Sequence, residues 1–307
     1  MDFIQQAYKG ENSWWRWLLT ILIVMSPFLL NFAIYFLLPE VYKGLMEDTA
    51  NFQGNKNIFL IENLMPFAVL LVLLIVFVKF VHLRSFTSVV TSRKKVDWNR
   101  FFYGFVTWFL MTVFFLFIGY LLVPEEFVWN FKPVPFFLLL TICIILIPIQ
   151  TSLEELLFRG YLMQGIGLLT KTRWVPLIVT STLFGLMHIL NPEVSKLGYG
   201  IMGFYIGTGF LFGIITLLDE GAELALGIHA ANNIAAAVLV ASNWAVFQTD
   251  ALFIDHSEPN LIYQMIIPVF FIYPLYIMFL QKKYGWKNWK EKLFGKIEKP
   301  VITKEIQ

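Results

Sequence analysis

Charged side chains are scarce in this sequence, since Asp, Glu, Lys and Arg make up 14% of its 307 residues. A soluble domain carries about 25% charged residues. Hydrophobic residues reach 58%, and a water-soluble fold of this length could not bury that much apolar surface. The single cysteine, Cys143, excludes an intrachain disulfide. This composition indicates an integral membrane protein embedded in a lipid bilayer, and no nucleic-acid partner is expected.

Long apolar windows recur along the chain, and most of them reach the roughly 20 residues that a bilayer core requires. Their apolar residues are continuous rather than alternating with polar ones, which favours helices over the strands of a closed barrel. The windows are residues 17–38, 60–83, 101–123, 135–163, 174–190, 199–218, 222–242 and 260–281. We therefore predict an all-α, polytopic transmembrane helical bundle of about eight helices, which forms a single membrane domain over residues 1–307. The first window exceeds signal-peptide length and is expected to be a retained anchor.

Basic residues are concentrated in alternate connections between these windows. They are Lys9 and Arg16, then Arg84, Arg93, Lys94, Lys95 and Arg100, then Lys171 and Arg173, and finally the lysines of the C-terminal tail. The intervening connections are mostly acidic. Because cytoplasmic loops retain Lys and Arg during insertion, this pattern predicts that both termini face the cytoplasm. Residues 282–307 would form a basic cytoplasmic tail, either solvated or lying as an interfacial helix on anionic lipid.

Ionisable residues inside the apolar windows occur in three short motifs. A charge at the bilayer centre costs about 2.5–3.5 kcal/mol on the insertion scale, so each such residue calls for a reason. The motifs are Glu154, Glu155 and Arg159 in the fourth window, Phe184 and His188 in the fifth, and His229 and Asn233 in the seventh. Residues four apart share a helical face, so an ion pair is predicted within the first motif. A carboxylate beside a neutral imidazole can activate water, and a second imidazole with an amide can stabilise an oxyanion.

The three motifs, Glu-Glu-x-x-x-Arg, Phe-x-x-x-His and His-x-x-x-Asn, resemble those of the CPBP intramembrane proteases. This family includes the type II CAAX prenyl endopeptidases, the bacteriocin-processing and immunity proteins, and the Abi group. The resemblance spans roughly residues 135–245, which would form the catalytic core. It implies that Glu154 with His188 activates the attacking water and that His229 with Asn233 forms the oxyanion site. Glu155, Arg159 and Phe184 would be supporting residues.

The expected function is therefore an intramembrane endopeptidase that cleaves a membrane-embedded or lipid-anchored peptide or protein. CAAX-type proteins, bacteriocin or pheromone precursors and membrane regulators are candidate substrates. The abundance of Phe, Ile and Lys suggests the plasma membrane of a bacterium as the location. Two other classes stay open, namely a proton-coupled transporter with a glutamate and histidine relay, and a catalytically silent membrane regulator or immunity protein.

Metal binding is a further open question at this point, because a glutamate and two histidines can hold zinc with one position left for water. Glu154, His188 and His229 would be the ligands. The sequence contains no His-Glu-x-x-His helix motif, so a metal-free glutamate and histidine mechanism is preferred.

Overall fold

The computed structural model describes residues 1–50 and 54–300, and these are predominantly helical. The α-helices are α1 (Trp14–Val24), α2 (Ser26–Leu37), α3 (Pro39–Ala50), α4 (Lys56–Val76), α5 (Thr87–Val90), α6 (Trp98–Leu122), α7 (Pro133–Glu155), α8 (Met163–Thr170), α9 (Trp174–Leu186), α10 (Pro192–Leu197), α11 (Met202–Asp219), α12 (Glu223–Val238), α13 (Tyr273–Tyr284) and α14 (Trp289–Phe294). Wider π-helical turns extend α4 over Phe77–Val81 and join α7 to α8 over Leu156–Leu162. Two more, Ile262–Ile266 and Pro268–Ile272, lead into α13.

All eight apolar windows contain helix, so the prediction of an all-α membrane bundle is confirmed. Within the described residues, five continuous helices are long and apolar enough to cross a membrane, and α1 with α2, bent by 63°, would make a sixth span. Helix α9 has 13 residues and α12 has 16. At 1.5 Å per residue they are about 20 and 24 Å long, short of a hydrocarbon core of about 30 Å. The count of eight crossings therefore stays a prediction.

Polar side chains mark where two of the long helices begin. The side-chain oxygen of Asn55 accepts hydrogen bonds from the backbone N–H groups of Asn57 and Ile58 at the start of α4. Asp97 caps α6 in the same way. Each cap satisfies backbone donors that have no partner within the helix.

The core lies where α12 crosses α6 and α11 crosses α9, with α7 packed against α4 and α12. Glycines permit these close crossings. A Cβ at Gly227 on α12 would lie 2.0 Å from the carbonyl oxygen of Phe101 on α6, and one at Gly209 on α11 would lie 2.6 Å from that of Ser181 on α9. The sequence predicts that the glycines of the sixth apolar window, among them Gly203, Gly207, Gly209 and Gly213, let that helix pack closely on its catalytic neighbours. Gly203 and Gly207 face the last helical segment instead. Gly209 and Gly213 make the approach to α9.

The basic connections meet at one end of the bundle, which we call the basic end. The N-terminal 3-10 helix Ile4–Lys9 is inserted there, with Phe3, Ile4 and Ala7 fully buried. An ion pair joins Asp2 to Arg173. Further contacts link this end together: Lys292 with Glu220, Arg93 with both Asp219 and Glu223, and Gln5 with the carbonyl of Glu298. The first and last described segments therefore lie at the same end, as an even number of crossings requires.

His82 follows the α4 span at the basic end and has no exposed surface. One ring nitrogen, Nδ1, lies 2.8 Å from the carbonyl oxygen of Glu11, and the other lies 2.7 Å from the hydroxyl of Tyr161. The pKa of His82 is lowered to about 4, chiefly by burial and in part by the nearby guanidinium groups of Arg84 and Arg16, although hydrogen bonding to backbone groups acts in the opposite direction. His82 is thus a neutral structural residue.

The opposite end carries a small sheet, and we call it the sheet end. Strand β1 (Phe127–Trp129) pairs antiparallel with β3 (Phe253–Asp255), which pairs parallel with β2 (Val240–Ala241). Helix α10 lies in the connection between α9 and α11 at this end. The C-terminal tail packs on the basic end instead, where Leu293 and Ile297 are buried, and residues 301–307 of the predicted tail lie outside the described residues.

Candidate active site

Two glutamates occupy the point where α7 changes its winding. Glu154 and Glu155 end the regular helix, and the wider π-helical turn Leu156–Leu162 follows directly. Such turns are rare and are frequent at functional sites. Because the two glutamates are consecutive, their side chains leave the helix about 100° apart and meet different neighbours.

Glu155 forms a fully buried ion pair with Arg159, as the four-residue spacing predicts. The distance from Arg159 Nη1 to Glu155 Oε1 is 3.0 Å, and neither side chain has exposed surface. Arg159 also donates through Nη2 to the carbonyl of Gly209 on α11, at 3.1 Å. Its guanidinium lies 4.3 Å from the ring centroid of Phe184 and 5.2 Å from that of Phe212. The cation is therefore held by a carboxylate, a carbonyl and two aromatic faces.

His229 on α12 is bound by the same carboxylate. Its Nδ1 lies 2.9 Å from Glu155 Oε1, and because a carboxylate only accepts, Nδ1 carries the hydrogen. The imidazole stacks on Phe212 with the ring centroids 5.0 Å apart. This fixes the direction of the other nitrogen, Nε2, which lies 3.6 Å from Glu154 Oε2.

Gln150 bridges the second glutamate to the amide on α12. Its Nε2 donates to Glu154 Oε1 at 2.6 Å, and its Oε1 accepts from Asn233 Nδ2 at 3.2 Å. Among the described residues, the other oxygen of Glu154, Oε2, is buried without a hydrogen-bond partner. One oxygen of Glu154 is thus held in place, and the other is left to bind a donor.

Asn233 is oriented by a relay from α6. The indole Nε1 of Trp108 donates to Asn232 Oδ1 at 3.3 Å, so the amide nitrogen of Asn232 is directed at Asn233 Oδ1, 3.2 Å away. With its carbonyl engaged, Asn233 must present its NH2 group to the site. That group lies 3.4 Å from His229 Nε2. Asn232 therefore has the structural role that the sequence suggests, as the residue that positions Asn233.

His188 lies just beyond the end of α9 and belongs to the same aromatic cluster. Its Nδ1 is 2.8 Å from the carbonyl oxygen of Phe184, which can only accept, so the hydrogen is on Nδ1 and the lone pair of the neutral ring is on Nε2. The imidazole stacks on Tyr205 with the ring centroids 4.5 Å apart. The Phe184 ring contacts both imidazoles, with centroids 4.9 Å from His188 and 5.9 Å from His229.

The structure brings most of the predicted site residues into one hydrogen-bonded network. Its members are Glu155, Arg159, His229 and Asn233, and Glu154 is joined to Asn233 through Gln150. Phe184 is packed between the histidines and the arginine. His188 adjoins the network through aromatic contacts and makes no hydrogen bond to any of its members among the described residues. The imidazole beside Glu154 is that of His229, and Glu155 acts on His229 directly.

The predicted metal ligands do not form one cluster. Within residues 1–50 and 54–300, no group of three or more His, Cys, Asp or Glu side chains is close enough together to hold an ion. Glu154 and His229 adjoin each other, and Glu155 orients His229 through the other ring nitrogen, but His188 does not complete a group of three with them. The arrangement of the described residues therefore does not fit the predicted zinc site of Glu154, His188 and His229.

Comparison with known proteins agrees with the motifs. The family model that matches is described as "Rce1-like: Type II CAAX prenyl endopeptidase Rce1-like", and it covers residues 132–235. Uncharacterized protein YyaK of Bacillus subtilis (strain 168) is 31% identical over 256 residues, which are 80% of this chain and 85% of that protein. The chain belongs to the CPBP family. No solved structure matches it. The segment matched by the family model contains every predicted site residue from Glu154 to Asn233.

Sequence reasoning missed three residues that shape this CPBP site. Gln150 had a signal, because it is an amide within an apolar window and lies four residues before Glu154 on the same helical face. Trp108 and Tyr205 had none, since aromatic residues are abundant in every apolar window and only the tertiary contacts distinguish these two.

Proposed function

We propose that this multi-pass membrane protein is an intramembrane endopeptidase that hydrolyses a peptide bond of a membrane-embedded or lipid-anchored substrate. Membership of a family of membrane proteases supports the reaction class. The observation that carries the proposal is the polar network of Gln150, Glu154, His229 and Asn233 within the apolar bundle. Polar and ionisable side chains are costly to place inside a membrane, so their presence there indicates a function.

In this proposal a water molecule is the nucleophile, and Glu154 and His188 activate it. Glu154 Oε2 and His188 Nε2 both offer lone pairs that no described protein group uses. A water that donates one hydrogen to each would direct its own lone pair towards a substrate carbonyl. As the new C–O bond forms, the water proton moves to Glu154.

His229 and Asn233 would then stabilise the oxyanion of the tetrahedral intermediate. The NH2 group of Asn233 is already directed at this volume by Asn232. Because Glu155 holds Nδ1 of His229, a doubly protonated ring presents its second hydrogen on Nε2, where it can hydrogen-bond to the oxyanion and stay on the ring. When the C–N bond breaks, Glu154 returns its proton to the leaving amine, and the network regains its starting charge.

The substrate class comes from the family and from the membrane setting of the site. CAAX-type proteins, bacteriocin or pheromone precursors and membrane-bound regulators all present a peptide bond close to a bilayer. We propose the cell membrane as the location.

The test compares the membrane peptidome of cells that produce the wild-type protein with that of cells that produce Glu154→Gln. We expect cleavage products that are present with the wild type and absent with the variant, because an amide cannot take up the water proton. The purified variant should keep its elution volume and its unfolding temperature in detergent. Retained cleavage by Glu154→Gln would overturn the proposal.

A matched control is Glu62→Gln. Glu62 lies in α4, its side chain is exposed, and it makes no hydrogen bond or ion pair among the described residues. This variant loses a membrane carboxylate without touching the network, so its cleavage products should equal those of the wild type.

A further inference from the structure

The bundle is packed differently on the two sides of the candidate site. Towards the basic end, every residue of Leu156–Gln164 is buried, and so is every residue of Glu223–Ala231. Helix α11 is buried over residues 211–219 except at position 214, which is partly buried. Seen from the site, the basic end is therefore closed by side chains, and no described polar group of the network reaches water in that direction.

Towards the sheet end the same helices are looser. In residues 202–210 of α11, Met202, Tyr205 and Gly209 are buried and the other positions are partly exposed. His188, Asn191 and Asn233 are all partly exposed, and the side chain of Glu154 is 13% exposed. The surface through which these polar side chains are reached must lie on this side of the network.

The two short helices explain this asymmetry. Helix α9 starts beside Arg173 at the basic end and stops at Leu186, two residues before His188. Helix α12 also starts at the basic end and stops at Val238, five residues after Asn233. Because both helices end beside the site, loops rather than helices surround the site on the side of the sheet end.

Those loops form a rim that is connected to His188. The backbone N–H of Val246 donates to Glu193 Oε1 at 2.8 Å, which ties the connection after α12 to α10. Asn191 donates to the hydroxyl of Tyr205 at 3.3 Å, and the ring of Tyr205 stacks on the ring of His188.

We propose that the site opens to the sheet end and that this end faces the extracytoplasmic side of the membrane. The second step follows from the basic residues gathered at the opposite end, which cytoplasmic segments retain. It rests on the proposed function only where it concerns the substrate, whose scissile bond is then presented from the extracytoplasmic half of the bilayer. The substrate class is a membrane-anchored or membrane-inserted peptide whose cleavage point lies on that side, rather than a cytoplasmic lipidated terminus.

Single cysteines test the direction of access without any need for turnover. In a Cys143→Ala background, cysteine is introduced separately by Asn191→Cys at the rim and Asn233→Cys in the site. Ser195→Cys on exposed α10 and Lys94→Cys in the exposed loop of the basic end report the two ends. The probe is a positively charged, membrane-impermeant thiosulfonate, applied to right-side-out and to inside-out vesicles.

We expect Asn191→Cys, Asn233→Cys and Ser195→Cys to be modified in right-side-out vesicles only, and Lys94→Cys in inside-out vesicles only. Modification of Asn233→Cys only in inside-out vesicles, or in neither preparation, would overturn the proposal. So would modification of Ser195→Cys from the cytoplasmic side. If Asn233→Cys fails to fold, Asn191→Cys decides, because it is outside the network and tests the same opening.

The outcome is independent of the proposed reaction. If labelling occurs from outside and the peptidome of Glu154→Gln is unchanged, the proposed protease function is refuted and the proposed opening is supported. If labelling occurs from the cytoplasmic side and the cleavage products are absent in Glu154→Gln, the proposed opening is refuted and the protease function is supported.

Discussion

Replacing Gln150 tests whether a residue that touches no substrate controls the reactive carboxylate. Gln150→Leu keeps a similar volume but removes the donor to Glu154 Oε1, at 2.6 Å, and the acceptor for Asn233. A hydrogen bond to a charged group contributes about 1.5–3 kcal/mol. If Glu154 reaches its reactive geometry only with this hydrogen bond, its loss adds a positioning cost of about that size to the transition state and lowers kcat/KM by about 10- to 150-fold, at about 1.4 kcal/mol per factor of ten. The decrease should fall on kcat, since Gln150 positions catalytic groups without lining the route of the substrate.

The assay is the initial rate of cleavage of a substrate identified by the peptidome comparison, measured in detergent or liposomes over a range of substrate concentrations. Gln150→Glu adds a readout that a purely structural role would not move. It keeps an acceptor for Asn233 but, as a carboxylate, cannot donate to Glu154 and adds a like charge beside it. We therefore expect a greater loss than in Gln150→Leu at neutral pH, and partial recovery on acidification, where a protonated carboxyl can donate.

Gln264→Leu is the matched control for this series. Gln264 is also an amide in a membrane helix, but its side chain makes no hydrogen bond among the described residues. Its replacement should leave kcat and KM unchanged. An unchanged kcat in Gln150→Leu, or an equal loss in Gln264→Leu, would refute the positioning role.

Three further predictions concern stability. Arg159→Leu leaves Glu155 as a buried carboxylate without its cation and should destabilise the fold by about 3–5 kcal/mol, and the double replacement Arg159→Leu with Glu155→Leu should recover part of the lost unfolding temperature in detergent. For His82, the folded-state pKa of about 4 lies below the ordinary value of 6.5, so the unfolded chain binds more protons between these values; unfolding temperature should fall as the pH drops from 6.5 to 4, and fall less in His82→Gln. Gly227→Ala places a Cβ 2.0 Å from a carbonyl oxygen of α6 and should destabilise the bundle, whereas Gly44→Ala, which meets nothing within 4 Å, should be neutral or slightly stabilising; equal unfolding temperatures for these two variants would contradict the packing argument.

The membrane bundle could be predicted from the sequence because long apolar runs are typical of helices that lie in a lipid bilayer. The windows located every long helix, and the four-residue spacing of Glu155 and Arg159 gave their ion pair. Local spacing does not reveal which neighbouring helix a side chain meets. The contact of Glu155 with His229 joins residues 74 positions apart, and the bridge from Gln150 to Asn233 joins residues 83 positions apart. Both depend on how α7 packs against α12.

The lengths of α9 and α12 could not be predicted from the sequence either. Hydropathy continues smoothly through residues 174–190 and 222–242, yet α9 ends at Leu186 and α12 at Val238. The chain leaves helical geometry after Leu186, where the His188 ring bonds back to the Phe184 carbonyl of α9 and Asn191 donates to Tyr205 on α11. An average over a window cannot detect such an ending, because the flanking residues remain apolar.

The consecutive glutamates show how one short motif can supply two chemically different carboxylates. Glu155 faces the packed half of the bundle, where Arg159 and His229 share its Oε1 and its side chain has no exposed surface, so it holds those two groups in place. Glu154, one residue earlier and turned by about 100°, faces the looser half, where Gln150 occupies one oxygen and leaves the other available. Exchanging these environments would require α7 to rotate by one residue, which the buried Arg159 prevents through its contacts with Gly209 and two aromatic rings. In the proposed reaction the arginine therefore sets which glutamate reacts, and the proposed opening at the sheet end gives that glutamate, rather than its neighbour, access to water.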